Sequence, residues 1–285
     1  MLYALLVRLD RHVTFRRHWR ATLLPLALLL LQGCSSERPL NPTFSLTRSE
    51  ARAALEQMRE EPKSLARPVL VLGGIHDPGL IASNIADVIR DRVHDRQCII
   101  DVSFFETGTF DKCARKVIQT LEKHYPSDEP LNTIEVDVVA FSMGGLVARH
   151  AASNDFGARN GRRLRIARLF TISAPHQGAD IAQLPTFDDR IKDMRPGAPF
   201  LSELDAPGNG DAEYPLFAYV RLHDGVIGEE HAAPPGMAAW WVPCGFTLSH
   251  TLAGNDLRIL ADILRRLRYE EPYSIEPPAP LPEDE

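Results

Sequence analysis

The run from Val136 to Arg149, VDVVAFSMGGLVAR, constrains this chain more than any other stretch. Ile134, Val136, Val138 and Val139 form an apolar run of the kind that makes a buried strand. It stops at Ala140-Phe141-Ser142-Met143-Gly144-Gly145, and a helix-compatible run begins at once. A strand that turns directly into a helix around a serine with small neighbours is a nucleophile elbow. The turn strains the serine backbone, and small residues two positions before and after it let strand and helix pass closely. The hydroxyl is lifted above the sheet, and the helix start aims backbone N–H groups at any charge forming there. The pattern is G-x-S-x-G with one departure, Ala140 in place of the first glycine.

The 285 residues are 44% hydrophobic and 25% charged, which suits one large α/β domain with ample core. Five arginines and one aspartate in residues 1–33 give +4, so the formal charge of −6 leaves −10 on the rest. An acidic body argues against nucleic acid as a partner.

The amino terminus reads as a targeting segment. Arg8, Arg11, Arg16, Arg17 and Arg20 precede an apolar run from Leu23 to Leu31 that is too short to span a bilayer. Residues 1–33 are therefore predicted to be a signal peptide. Leu31-Gln32-Gly33-Cys34 resembles the lipobox of bacterial lipoproteins, with Gln32 an unusual occupant. That resemblance implies lipid attachment at Cys34, and export to the cell envelope as a membrane-anchored protein facing the periplasm or the cell surface. An ordinary signal peptide with an incidental cysteine is the alternative. Cys98, Cys113 and Cys244 remain, an odd number, with no disulfide pairing and no metal site expected among them.

Residues 34–67 read as a tether followed by a helix. Thr47 and Glu50 have capping-box spacing, and Ala51, Ala54, Leu55 and Met58 share one helical face. Strands are predicted at 68–74, 98–105, 134–140, 165–173, 215–222 and 239–244, with amphipathic helices between them. That alternation predicts a mainly parallel sheet with helices on both faces, spanning 68–270. Regularity is lost from Ala179 to about Tyr214, and so long an irregular insert is usually functional. Residues 271–285, Pro-rich and acidic, are expected to form an exposed tail.

A serine hydroxyl needs a base to take its proton and an acid to orient that base. On a sheet of this kind the chain order is Ser, then Asp or Glu, then His. Of the five later histidines, His150 lies in the helix after the elbow and His176 comes too early. His223 adjoins Asp224, and His231 has no clear anchor. His250 follows the last strand and precedes the final helix, where the base belongs. Asp224 ends a strand beside a glycine, and Asp211, Glu213 and Glu229 are its competitors. The backbone N–H groups of Met143 and Ile75 are the expected oxyanion donors, Ile75 lying in the loop after the first strand near His76.

Six stretches together carry a family resemblance: PVLVLGG, VDVVAFSMGGLVAR, LFTISAPHQGA, DMRPGAPFLSELD, HDGVIG and SHTLAGND. They resemble the α/β-hydrolase lipases, and more narrowly the bacterial triacylglycerol-lipase-like group that shades into the GPI inositol-deacylase-like proteins. Gly73 stands where similar enzymes carry His. The resemblance implies an α/β-hydrolase fold with a cap insertion after the sixth strand, here residues 179–214. It implies Ser142, Asp224 and His250 as a triad, an ester or lipid substrate, and no cofactor. The expected activity is ester hydrolysis through an acyl-enzyme, with Trp240 and Trp241 near an acyl pocket. Acyl transfer by the same triad, a peptidase, and a catalytically silent surface-binding lipoprotein are the competing readings.

Overall fold

A computed structural model describes residues 40–209, 214–244 and 249–282. The predicted signal peptide, Cys34, Asp211, Glu213 and the last three residues of the tail lie outside the described residues. Among those described, no helix is long and apolar enough to cross a membrane.

The sheet has six strands: β1 (Val69–Leu72), β2 (Ile99–Val102), β3 (Asn132–Phe141), β4 (Arg163–Ile172), β5 (Leu216–Arg221) and β6 (Trp240–Val242). Their order is β2-β1-β3-β4-β5-β6 and every pairing is parallel. Side chains alternate across such a sheet, so an apolar run serves two cores at once. In β1, Leu70 and Leu72 enter one core and Val69 and Val71 the other. Helices α3 (Phe110–His124) and α4 (Met143–Ala152) cover the first face. Helices α1 (Arg48–Glu60), α2 (Leu80–Arg90) and α9 (Leu257–Leu267) cover the second. The capping box at the start of α1 is complete: Thr47 Oγ1 accepts the Glu50 N–H and Glu50 accepts the Thr47 N–H at 2.8 Å.

The chain leaves β1 toward one edge and returns to place β3 on its other side. This reversal opens a crevice at the carboxyl ends of β1 and β3, where ligands bind in sheets of this kind. It is there that β3 runs into Ser142.

Three expectations change. Counted along this chain, the insertion follows the fourth strand, β4, and not the sixth, because only three strands precede β4 and two follow the insert. The insert is also less irregular than its prolines suggest. It holds a 3-10 turn (Asp180–Gln183) and helices α6 (Asp189–Asp193) and α7 (Pro199–Leu204), after the short α5 (Asn154–Asn160). The tail, finally, is not free over its described length. The Trp240 and Trp241 indoles donate to the carbonyls of Ile275 and Pro280, each at 2.9 Å. The Ala279 N–H donates to Thr43 Oγ1, so both flanks of the domain cover the edge strand β6. An uncovered edge strand is a template for aggregation, and two indole N–H groups need acceptors.

Candidate active site

Ser142 has φ 53° and ψ −129°, a conformation that costs about 1–3 kcal/mol for a residue with a side chain. Its N–H donates to the Ile172 carbonyl at 2.9 Å, which holds the turn against β4. Close packing explains the glycines. A Cβ on Gly144 would lie 2.7 Å from the Gly73 carbonyl oxygen, and one on Gly145 would lie 2.6 Å from Ala174 Cβ. Ala140, two residues before the serine, is fully buried, so its one methyl fits where glycine is usual.

Asp224 lies three residues beyond the end of β5, and His250 lies in α8 (Ser249–Ala253), after β6. The Ser142 hydroxyl donates to His250 Nε2 at 2.9 Å, and His250 Nδ1–H donates to Asp224 Oδ2 at 2.9 Å. These are the bonds expected when the histidine carries its proton on Nδ1. The Phe141 ring lies 5.2 Å from the imidazole, centre to centre.

Asp224 is wholly buried. Burial pushes its carboxyl up, but the His250 bond and charge, the Ser173 hydroxyl and the Ile227 N–H outweigh it and hold the group below its ordinary range. Asp224 Oδ1 also accepts the Val226 and Ile227 N–H groups at 3.2 and 3.3 Å. The Ser173 hydroxyl is buried beside this carboxylate but makes no bond of good geometry. Ser173 has φ 48°, so its backbone too is strained.

Met143 is the first residue of α4, so its N–H has no partner within the helix. Ile75, His76, Ser142 and His250 line one cavity of about 600 Å³. Leu80, Ile81, Ile181, Leu184, Pro185, Ile191, Met194 and Ile227 make most of its wall apolar. Glycine at 74 eases the approach to the serine, since a Cβ there would lie 3.2 Å from Ser142 Cβ, tighter than an ordinary contact.

The other candidate residues lie elsewhere. His150 Nε2–H donates to Asp111 Oδ1 at 2.7 Å, away from the cavity. His176 is fully buried, 3.1 Å from Thr171 Oγ1 and 3.3 Å from the Arg149 guanidinium. His231 contacts the Ile227 carbonyl, and His223 is exposed. Glu229 accepts backbone N–H groups of the Asp224 loop and does not face the imidazole. Trp240 and Trp241 do not line the cavity; both belong to β6 and face the tail. Two contacts escaped the sequence reading. His76 lies 3.3 Å from Asp188 of the insert, and Arg149 ties α4 to α7. Only the tertiary fold brings those partners together.

Cys98, Cys113 and Cys244 are buried, and burial pushes the Cys98 and Cys113 thiols up to about 11. Such thiols are inert at neutral pH. Among the described residues, the ligand-type atoms of Asp180, Glu230 and His231 lie within 4.8 Å of one another at the surface, and none of the three lines the Ser142 cavity.

A parallel sheet with a strained serine at the carboxyl end of its central strand and an apolar cavity above it is an α/β-hydrolase fold. The profile of the PGAP1-like alpha/beta domain matches residues 101–194, which run from β2 through α6 and include Ser142 but neither Asp224 nor His250. No curated protein matches the sequence significantly. A solved structure supports the fold. The phospholipase PlaB of Legionella pneumophila aligns at TM-score 0.50 and 14% identity, over 71% of this chain and 58% of that one. This chain thus spans less than two thirds of PlaB. The lipase BlEst2 of Bacillus licheniformis aligns at 0.47 and 15% identity, over 68% and 89%. Aspergillus fumigatus lipase B aligns at 0.49 and 13%, over 83% and 61%.

Proposed function

We propose that this protein is a serine carboxylic-ester hydrolase acting on acyl esters of lipid type. One observation carries the reading: a strained serine hydroxyl hydrogen-bonded to an imidazole whose far side is held by a wholly buried carboxylate. Ser142 Oγ attacks the ester carbonyl carbon while His250 Nε2 takes its proton. Asp224, kept ionised, orients His250 and stabilises the imidazolium. The Met143 and Ile75 N–H groups receive the oxyanion. His250 then protonates the departing alcohol, leaving the acyl group on Ser142. Water activated by the same imidazole releases the acid.

The apolar wall supports an acyl chain as the group bound beside the serine. Export and lipid attachment at Cys34 complete the reading, holding the domain at a membrane where such esters occur. Turnover of a p-nitrophenyl ester panel of rising acyl length, by the wild type and by Ser142→Ala, is the test. The wild type turns over some members and the variant none. A wild type inert on the whole panel, or equal turnover by the variant, overturns the reading.

A further inference from the structure

The loop that carries Asp224 is short and strained. It leaves β5 through Leu222, and His223 has φ 60°, a left-handed value that a residue with a side chain adopts at a cost. The Gly225 N–H donates to the His223 carbonyl at 3.0 Å, and the Gly228 N–H to the Asp224 carbonyl at 2.8 Å. Gly228 itself has φ 77° and little room: a Cβ there would lie 2.9 Å from Asp180 Oδ2. These bonds close the loop on its far side. They leave open what holds the two amides at its near side, where the acid begins.

Glu229 holds them. Its Oε1 accepts the His223 N–H at 3.3 Å and its Oε2 accepts the Asp224 N–H at 3.2 Å. One carboxylate thus spans two successive amides, one oxygen for each. The arrangement is reciprocal, because Asp224 Oδ1 accepts the amides of Val226 and Ile227 further along the same loop. Asp224 fixes the loop beyond it and the imidazole above it, while Glu229 fixes the backbone from which Asp224 projects. Without Glu229 the two amides lose the carboxylate that bridges them. The Asp224 carboxylate would then be free to shift relative to His250 by enough to lengthen a 2.9 Å bond.

We propose that Glu229 is a positioning residue for the Ser142 chemistry: it sets the backbone of Asp224 and, through Asp224, the orientation of the His250 imidazole. The proposal rests on the esterase reading for its rate consequence, though not for its geometry. Glu229 touches no reacting atom and does not line the cavity. Its effect therefore falls on kcat and not on substrate binding.

The test uses three variants of the full chain. Glu229→Ala removes both acceptors and lowers kcat by about tenfold to a hundredfold, the range that a small misplacement of catalytic groups produces. KM stays within about twofold, because no binding contact is lost. Glu229→Gln keeps one carbonyl acceptor, folds like the wild type and recovers most of the lost rate. Glu230→Ala removes the same charge one residue later and leaves the rate unchanged, which separates positioning from a general field effect. Proton NMR supplies the readout independent of turnover. The strongly downfield resonance of the His250 Nδ1–H, a signature of its bond to Asp224, shifts upfield or broadens in Glu229→Ala and persists in Glu230→Ala. Wild-type kcat together with an unmoved resonance in Glu229→Ala overturns the proposal, as does an equal loss in Glu230→Ala. A wild type without esterase activity would sink the functional reading alone, and the resonance would still decide the role of Glu229.

Discussion

The Arg149 guanidinium, in the helix that starts just after Ser142, donates to the Asp205 carboxylate of the insert at 2.7 Å. It also donates to the Leu204 carbonyl at 3.1 Å. A cation that is almost wholly buried therefore tethers the cap to the elbow helix. Removing one partner of a buried pair costs more than the pair contributes, since the other group stays desolvated. Arg149→Met is expected to destabilise by about 3 kcal/mol, at the low end of the usual range because Asp205 reaches solvent. Thermal unfolding should show a fall of about 6–12 °C for a domain of this size. Asp205→Ala should cost less, as the Leu204 carbonyl still receives the guanidinium.

Two buried histidines make stability fall in mild acid. Burial and the neighbouring Arg149 charge hold His176 well below its ordinary value. Burial likewise lowers His150, outweighing the pull of Asp111. The unfolded chain binds these protons below about pH 6.5 while the folded chain resists them, so stability drops as pH falls through that value. The slope is about 1.4 kcal/mol per pH unit for each histidine that stays neutral. Asp224 acts in a lower window: its depressed value contributes stability above about pH 4 that is lost as pH falls through the folded pKa. Urea unfolding at pH 8, 7, 6 and 5 checks the slope. His176→Gln should flatten it, and stability rising from pH 7 to 5 would contradict neutral burial.

The cavity predicts which esters are preferred. Its wall is largely apolar, so kcat/KM should rise about fourfold per added methylene until the cavity fills, the equivalent of about 0.8 kcal/mol each. No lysine or arginine lines it among the described residues, and His76 already lies beside Asp188. Phosphatidic acid should therefore be a poorer substrate than diacylglycerol with the same chains in mixed micelles. Equal rates at low salt would mean that a cation reaches the mouth. Ile181→Asp, at the lip, should weaken long-chain esters more than acetate.

The docked tail gives a test of stability with no enzymology. Truncation after Ser274 removes the acceptors of both Trp240 and Trp241 and uncovers β6. Two lost hydrogen bonds cost about 2 kcal/mol in total. Tryptophan emission should move to longer wavelength, and light scattering should show association through the freed edge. An unchanged spectrum would contradict the docking.

How far the sequence carried these features depends on whether their cause was local. The elbow was legible because strand, strained turn and helix adjoin in one stretch, and Ala140 and Gly144 sit at its two crowded positions. Strand ends were legible for the same reason, and they led to Asp224 and His250 once parallel strands were inferred. The docking of the exposed tail was not legible, because its proline content matched an unattached segment while its partners Thr43, Trp240 and Trp241 lie far back in the chain. Trp240 and Trp241 were misassigned. Arg149 gave no sequence signal and Glu229 stood out only as a competitor for the acid, since a charged residue in a helix or loop is ordinarily solvated and only the fold supplies its partners.

The direct test of the Ser142 chemistry is the site of covalent attack. Labelling with an alkyl fluorophosphonate followed by peptide mass spectrometry should place a single adduct on Ser142, with labelling lost in Ser142→Ala and strongly slowed in His250→Ala. An adduct on another residue, or an unlabelled wild type with native folding, would contradict the account.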